Sequence, residues 1–256
     1  MSDTAGAAPA QAADPNLPLF YRNPAPLDAA RHRGKAIRDN AGYGFSAGTN
    51  SVPVSGAEFA LAHRHYPIVF SGAQTPFPVA VLGLRPDENL FVSAAGGWQP
   101  QTYIPAYVRR YPFVFIEAPD DKLILAIDEG GENLTDQGKL GLFDAGGKPT
   151  DLVKSALQFC SAYQANHKAT FEFVEALRGQ DLLVDNQAQA TIAGTERLAL
   201  AGFKVIDEGR FNKLPGATLL AWRDKGWLAW IYAHLLSAGS WNALAGMAAE
   251  RKTAAT

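Results

Sequence analysis

His63-Arg64-His65-Tyr66-Pro67-Ile68-Val69-Phe70 returns later in the chain as Val108-Arg109-Arg110-Tyr111-Pro112-Phe113-Val114-Phe115. Each copy is a cationic stretch, a Tyr-Pro pair and an apolar run of the β-branched and aromatic residues that suit a strand. Proline disfavours α geometry in the residue before it, so a helix arriving from the N-terminal side must end before the tyrosine. Both copies have such a helix upstream. Ser55-Gly56-Ala57-Glu58 fits the capping box, in which Ser and Glu satisfy orphan backbone donors reciprocally. Residues 102–110 fit a short helix with Pro105 in its first turn. The phrase therefore predicts a helix–strand unit used twice, with positive charge at the mouth of a buried strand.

Each unit continues into a turn and a second strand. Pro86-Asp87-Glu88 precedes an apolar run at 89–93, and Pro119-Asp120-Asp121 precedes another at 122–128. A further strand is predicted at 77–84. From Tyr66 to Tyr111 is 45 residues but from Pro86 to Pro119 only 33, and unequal spacings exclude a strict solenoid or propeller. Two related helix–strand–turn–strand units in one sheet is the reading that remains. Closing the second turn so that Glu117 faces Lys122 sets Tyr111 opposite Asp128 and Arg110 opposite Glu129, a cross-strand ion pair.

The second half of the chain is helical in pattern. Leu152, Val153, Ala156, Leu157, Phe159, Cys160 and Tyr163 fall at helical spacing after a capping Thr150. Residues 170–178 continue in the same way, and Gly179 is the expected terminator. Short strands are expected at 182–185, 188–192 and 203–207. Residues 226–249 carry no formal charge, but their strongly apolar part, 227–236, is too short to cross a bilayer, so a buried core helix is expected. The fold class is α+β, with a mostly antiparallel sheet and helices contributed mainly by the C-terminal half. Residues 1–16 read as a disordered Ala/Pro-rich tail, 17–249 as a single α+β domain with 17–50 an extended arm, and 250–256 as a frayed end.

Composition narrows the function classes. Net charge is −2 and 19% of residues are charged, so there is no basic excess for nucleic acid and no polybasic membrane patch. Cys160 is the sole cysteine, which excludes an intrachain disulfide and a cysteine-based metal site. The first residues lack the basic and apolar regions of a secretory signal. A cytoplasmic protein is expected, with non-classical export left open.

The motifs divide into weak and stronger ones. Gly44-Phe45-Ser46-Ala47-Gly48 spells a nucleophile elbow without the strand before it or the helix after it, and reads as a glycine loop. Gly146-Gly147-Lys148-Pro149-Thr150 imitates a phosphate loop, but Pro149 removes an amide donor. His32, His63, His65, His167 and His234 show no metal-ligand spacing, and neither metal nor cofactor is expected. His234 reads as a hydrogen-bonded core histidine. Arg64, His65, Tyr66, Arg109, Arg110 and Tyr111, with Trp98, form the candidate contact group, because arginine presents a bidentate fork to a carboxylate. Asp128, Glu129 and His234 are the alternative acid–base candidates, which enzymatic work on a peptide or glycan would need to converge in one pocket.

Longer phrases carry a resemblance. Ala57-Glu58-Phe59-Ala60, His65-Tyr66-Pro67-Ile68-Val69-Phe70, Leu82-Gly83-Leu84-Arg85, Glu88-Asn89-Leu90-Phe91-Val92 and Tyr103-Ile104-Pro105-Ala106-Tyr107-Val108-Arg109-Arg110-Tyr111-Pro112-Phe113 resemble the SapC family of bacterial proteins. Ala126-Ile127-Asp128-Glu129, Gly202-Phe203-Lys204-Val205-Ile206-Asp207-Glu208 and Ala233-His234-Leu235 agree, and the likeness runs over about 15–244. The resemblance implies an association with the bacterial surface (S-) layer and with TonB-dependent nutrient uptake; a protein or peptide partner is expected. Its members also occur beside cupin-like and halogenase-like oxygenases. The label of peptide-transport permease that some members carry conflicts with a chain lacking a set of spanning helices. The resemblance supplies no catalytic residue, and a non-catalytic binding or adaptor protein is the expectation.

Overall fold

The computed structural model describes residues 17–192 and 196–254, so the tail expected at 1–16 lies outside the described residues. The chain forms two compact units. One takes the residues up to Asp39 together with Pro112–Thr150, and the other takes Asn40–Tyr111 together with the chain from Asp151 onward. The α+β class, the antiparallel pairing and the concentration of helix in the C-terminal half are as expected, but the two Tyr-Pro strands expected in one sheet belong to different sheets, because each pairs with different partners.

The first unit holds two three-stranded antiparallel sheets. Lys122–Asp128 is the central strand of one, between Pro24–Pro26 and Phe113–Ala118. Ala36–Ile37 is central in the other, between Leu134–Thr135 and Leu140–Gly141. The arm read as extended at 17–50 contributes strands to both sheets, and a helical turn, Ala29–His32, between them. The hairpin forms, but its register differs by one residue from expectation. Glu117 faces Leu123 and Ala118 faces Lys122. The cause is the connection: Pro119, Asp120 and Asp121 make a three-residue turn with Asp120 left-handed at φ 66°, so the strands close one residue later than a pairing of Glu117 with Lys122 requires. A slip of one residue turns every side chain to the opposite face. The ladder begins at Phe113, paired with Ile127, so Tyr111 and Arg110 do not enter it.

The second unit is organised on a five-stranded antiparallel sheet. Its order is Leu183–Ile192, Glu196–Ile206, Ile68–Ser71, Pro78–Val81 and Ser51–Pro53. The strand expected at 89–93 is absent. Leu90, Phe91 and Val92 are buried in a loop whose backbone is satisfied locally, by Asn89 and by the Val92–Trp98 bridge. Two short strands expected at 182–192 are one, part of a long hairpin. Gly202, left-handed at φ 79°, is the extra residue that shifts the register between Asn186 and Gln187.

Helices cover this sheet. The two helical stretches read between 151 and 178 are one helix, Asp151–Gly179. The Trp227–Ser237 helix is a core helix on one face and holds two strands through polar side chains. The Ile206 amide donates to His234 Nε2 at 3.1 Å, and the Ile68 amide to Ser237 Oγ at 3.0 Å. Trp230 packs edge-on to Phe173, and Gly56 lies so close that a Cβ there would come within 2.3 Å of the indole. The end expected to fray at 250–256 is helical to Ala254. Arg251 fastens it by donating to the carbonyls of Asn89, Leu90 and Val92. Among the described residues no helix is long and apolar enough to cross a membrane.

Candidate functional site

The capping box at Ser55 is the foundation of the site. Ser55 donates both its amide and its hydroxyl to Glu58 Oε2, each at 2.8 Å. The other oxygen, Oε1, accepts from the Ala106 amide at 2.7 Å and from the Tyr103 hydroxyl at 3.0 Å. One buried carboxylate thereby satisfies the N-terminal donors of both one-turn helices that precede the Tyr-Pro phrases. Pro105 fits the N-terminus of the second helix because that position has no intrahelical acceptor for its amide.

Tyr103 ties the copies together a second time. Its backbone carbonyl accepts from the Tyr66 hydroxyl. Its own hydroxyl also accepts from Arg109 Nη2 at 3.1 Å. Burial, aided by the Glu58 charge and opposed by Arg109, pushes the Tyr103 phenol up to about 12. Burial likewise drives Tyr66 above the ordinary tyrosine range.

The seven candidate contact residues have different places. Arg109 is exposed, with Nε donating to the Ile104 carbonyl at 2.9 Å and its guanidinium over Tyr103 and Phe159. Arg110 is half-buried, 4.1 Å from the ring centre of Tyr107 and 4.7 Å from that of Tyr163. Its charge opposes the burial that lifts the Cys160 thiol to about 11, and adds to the burial that lowers His167. Tyr111 is buried and stacks on Phe45 at 4.1 Å. Tyr66 is fully buried against Phe91. Trp98 is half-buried between Phe91 and Tyr43. Arg64 is exposed just after the first helix, and His65, half-buried, is held below the usual histidine range by burial and then by the charges of Arg64 and His63. Tyr66 and Arg109 are thus linked through Tyr103, while Arg64 stands outside that network.

The acid–base candidates are each engaged elsewhere. Asp128 is completely buried, and its Oδ1 accepts from the amides of Arg22 and Asn23 at 3.0 and 2.7 Å. Glu129 pairs with Arg31 and with His32 Nε2 at 3.1 Å, in place of the expected Arg110. His32 is buried, and its Nδ1 lies 3.0 Å from the Asp28 carbonyl. His234 is held to about pKa 4 by burial, partly offset by hydrogen bonding to the Ile68 backbone. Ser46, the mimic of a nucleophile, is buried and donates to the Tyr43 carbonyl at 2.8 Å. Among the described residues no group of three His, Cys, Asp or Glu is placed to hold a metal ion.

Residues 27–244 match the SapC family model. The chain belongs to the SapC family. No curated protein and no solved structure matches it. In this SapC-family chain the sequence pointed to Glu58 only as a local cap. Its reach to Ala106 and Tyr103 has no sequence signal, because 48 positions separate Glu58 from Ala106. Phe159 and Tyr163 were visible as a helical stripe, but nothing in their spacing names arginine as what they pack against.

Proposed function

We propose that this SapC-family protein is a binding or adaptor protein, working from the cytoplasm in association with the bacterial surface layer or with TonB-dependent uptake, and that Arg109 is the centre of its contact site. The observation that supports this is how the polar side chains are spent. Glu58, Asp128, Glu129, His32 and His234 are engaged with the chain's own amides, carbonyls or ion-pair partners. Arg109 is exposed, and its two hydrogen bonds, to the Ile104 carbonyl and the Tyr103 hydroxyl, fix its orientation while using two of its five N–H donors. A guanidinium oriented in advance loses little freedom on binding and suits a carboxylate in bidentate geometry. The partner is therefore a protein or peptide presenting acidic side chains or a free C-terminus, with Arg64 and His65 supplying further positive charge.

Arg109→Ala combined with Arg64→Ala tests the site without touching the Arg110 cradle. Used as bait in native lysate, the wild-type chain should capture a stoichiometric companion, identified by mass spectrometry, and the double variant should lose it at unchanged thermal stability. Equal capture by both baits would defeat the proposal.

A further inference from the structure

The Asp151–Gly179 helix ends in a Schellman motif. The Leu182 amide donates to the Leu177 carbonyl and the Asp181 amide to the Arg178 carbonyl, both at 3.0 Å. The motif requires one left-handed residue, a place that glycine takes without strain. Here Gly179 is still helical and Asp181 holds the left-handed place, at φ 53°. Arg210 Nη1 fixes that conformation by donating to the Asp181 carbonyl at 2.7 Å. The Asp181 side chain is exposed, and among the described residues no hydrogen bond or ion pair engages it. A residue that strains the backbone and leaves its carboxylate unspent gives the fold nothing that glycine would not give better.

Asp181 lines an open cleft of about 510 Å³, together with Gly72, Gln74, Arg178, Leu183 and Lys204. Close backbone approach builds one side of it: a Cβ on Gly72 would come within 2.3 Å of the Gly202 carbonyl oxygen at the bulge of the long hairpin. Arg178 is braced by Glu175 at 2.6 Å and Lys204 by Asp185 at 2.5 Å. Each cation has more N–H donors than its one brace uses. The lining thus includes one residue whose carboxylate makes no hydrogen bond or ion pair among the described residues, and two cations each held by one ion pair.

We infer that this cleft binds a small zwitterion, with the ligand's ammonium on Asp181 and its carboxylate between Arg178 and Lys204. The chemical class is that of free α-amino acids, whose two charged ends lie close enough to meet both sets of groups in one cleft. The site is independent of the contact group around Arg109.

Calorimetric titration of the full chain with free alanine, leucine, phenylalanine and glutamate tests it, with the N-acetyl and amide forms of each as single-ended controls. At least one free amino acid should bind, and capping either end should weaken binding ten-fold or more. Asp181→Asn, which keeps a residue tolerant of the left-handed conformation, and Asp181→Gly, which relieves the strain, should each lower affinity at least ten-fold. The glycine variant should melt no lower than wild type. Absence of binding by all four free amino acids, equal binding of a capped form, or wild-type affinity in Asp181→Asn would overturn the inference.

Discussion

Tyr66-Pro67 leads into Ile68–Ser71, the middle strand of five, whereas Tyr111-Pro112 leads into Phe113–Ala118, an edge strand of three in the other compact unit. The boundary between the units falls between Tyr111 and Pro112 themselves. The same local grammar, a short helix halted by Tyr-Pro before an apolar run, therefore serves two ends. In the first copy the phrase stays within one unit. In the second the helix belongs to one unit and the strand to the other. Proline's exclusion of helix from the preceding residue acts identically in both, since it depends on neighbouring atoms alone. Which sheet receives the strand depends on its partners: Ile127 across a near hairpin for one strand, and for the other Ala80 nearby and Lys204 far along the chain.

The greatest loss should come from removing what the copies share. Glu58→Ala strips the acceptor from Ser55, Tyr103 and the Ala106 amide at once, and leaving buried donors unpaired should cost about 3–5 kcal/mol in urea unfolding. A cost below about 1 kcal/mol would mean that the two helices are not held together by this carboxylate.

Acid should separate the two strands. His234 is neutral in the fold and has its pKa depressed to about 4. The unfolded chain takes up that proton first, so this contribution is complete above the unfolded value and is lost as pH falls toward 4. Roughly 3 kcal/mol should go between about pH 6.5 and pH 4, because each tenfold difference in proton affinity between the folded and unfolded chain is worth about 1.4 kcal/mol. Hydrogen exchange should show Ile68–Ser71, held by the helix that carries His234 and Ser237, losing protection before Phe113–Ala118 does. His234→Gln should flatten the added dependence, and an unchanged slope in that variant would remove His234 as its source.

A smaller difference is expected between the two arginines of the second copy. Arg110→Ala gives up two aromatic contacts around a half-buried cation and should cost about 1–2 kcal/mol. Arg109→Ala on the exposed side should cost under about 0.5 kcal/mol. Equal losses in thermal denaturation would show that the two arginines are not divided between packing and presentation.

How much was legible follows from how far each feature reaches along the chain. The Ser55–Glu58 box, the helix at Ala106–Arg109, the turn after Ala118 and the core position of His234 could be read because their causes lie within a few residues. The hairpin register could not. It turned on whether Asp120 adopts a left-handed conformation, which aspartate tolerates but does not announce. Gly179 was a reasonable helix terminator, yet the motif closed two residues later on Asp181, because Leu182 is pulled into the core and Arg210 holds the Asp181 carbonyl.

Consecutive residues were enough for the α+β class, the paired Tyr-Pro units, and the membership that the longer phrases share with SapC proteins. Folding in three dimensions settled the rest: that the two units feed different sheets, that Glu58 serves both helices, that Arg109 faces solvent while Arg110 is packed between aromatic rings, and that Asp181 stands unspent beside two cations. The difference is one of range. Propensity, capping and proline sterics act over a few bonds and are written in neighbouring positions. Strand partners, shared acceptors and the division of charge between core and surface are settled by groups that only the folded chain brings within a few ångströms of one another.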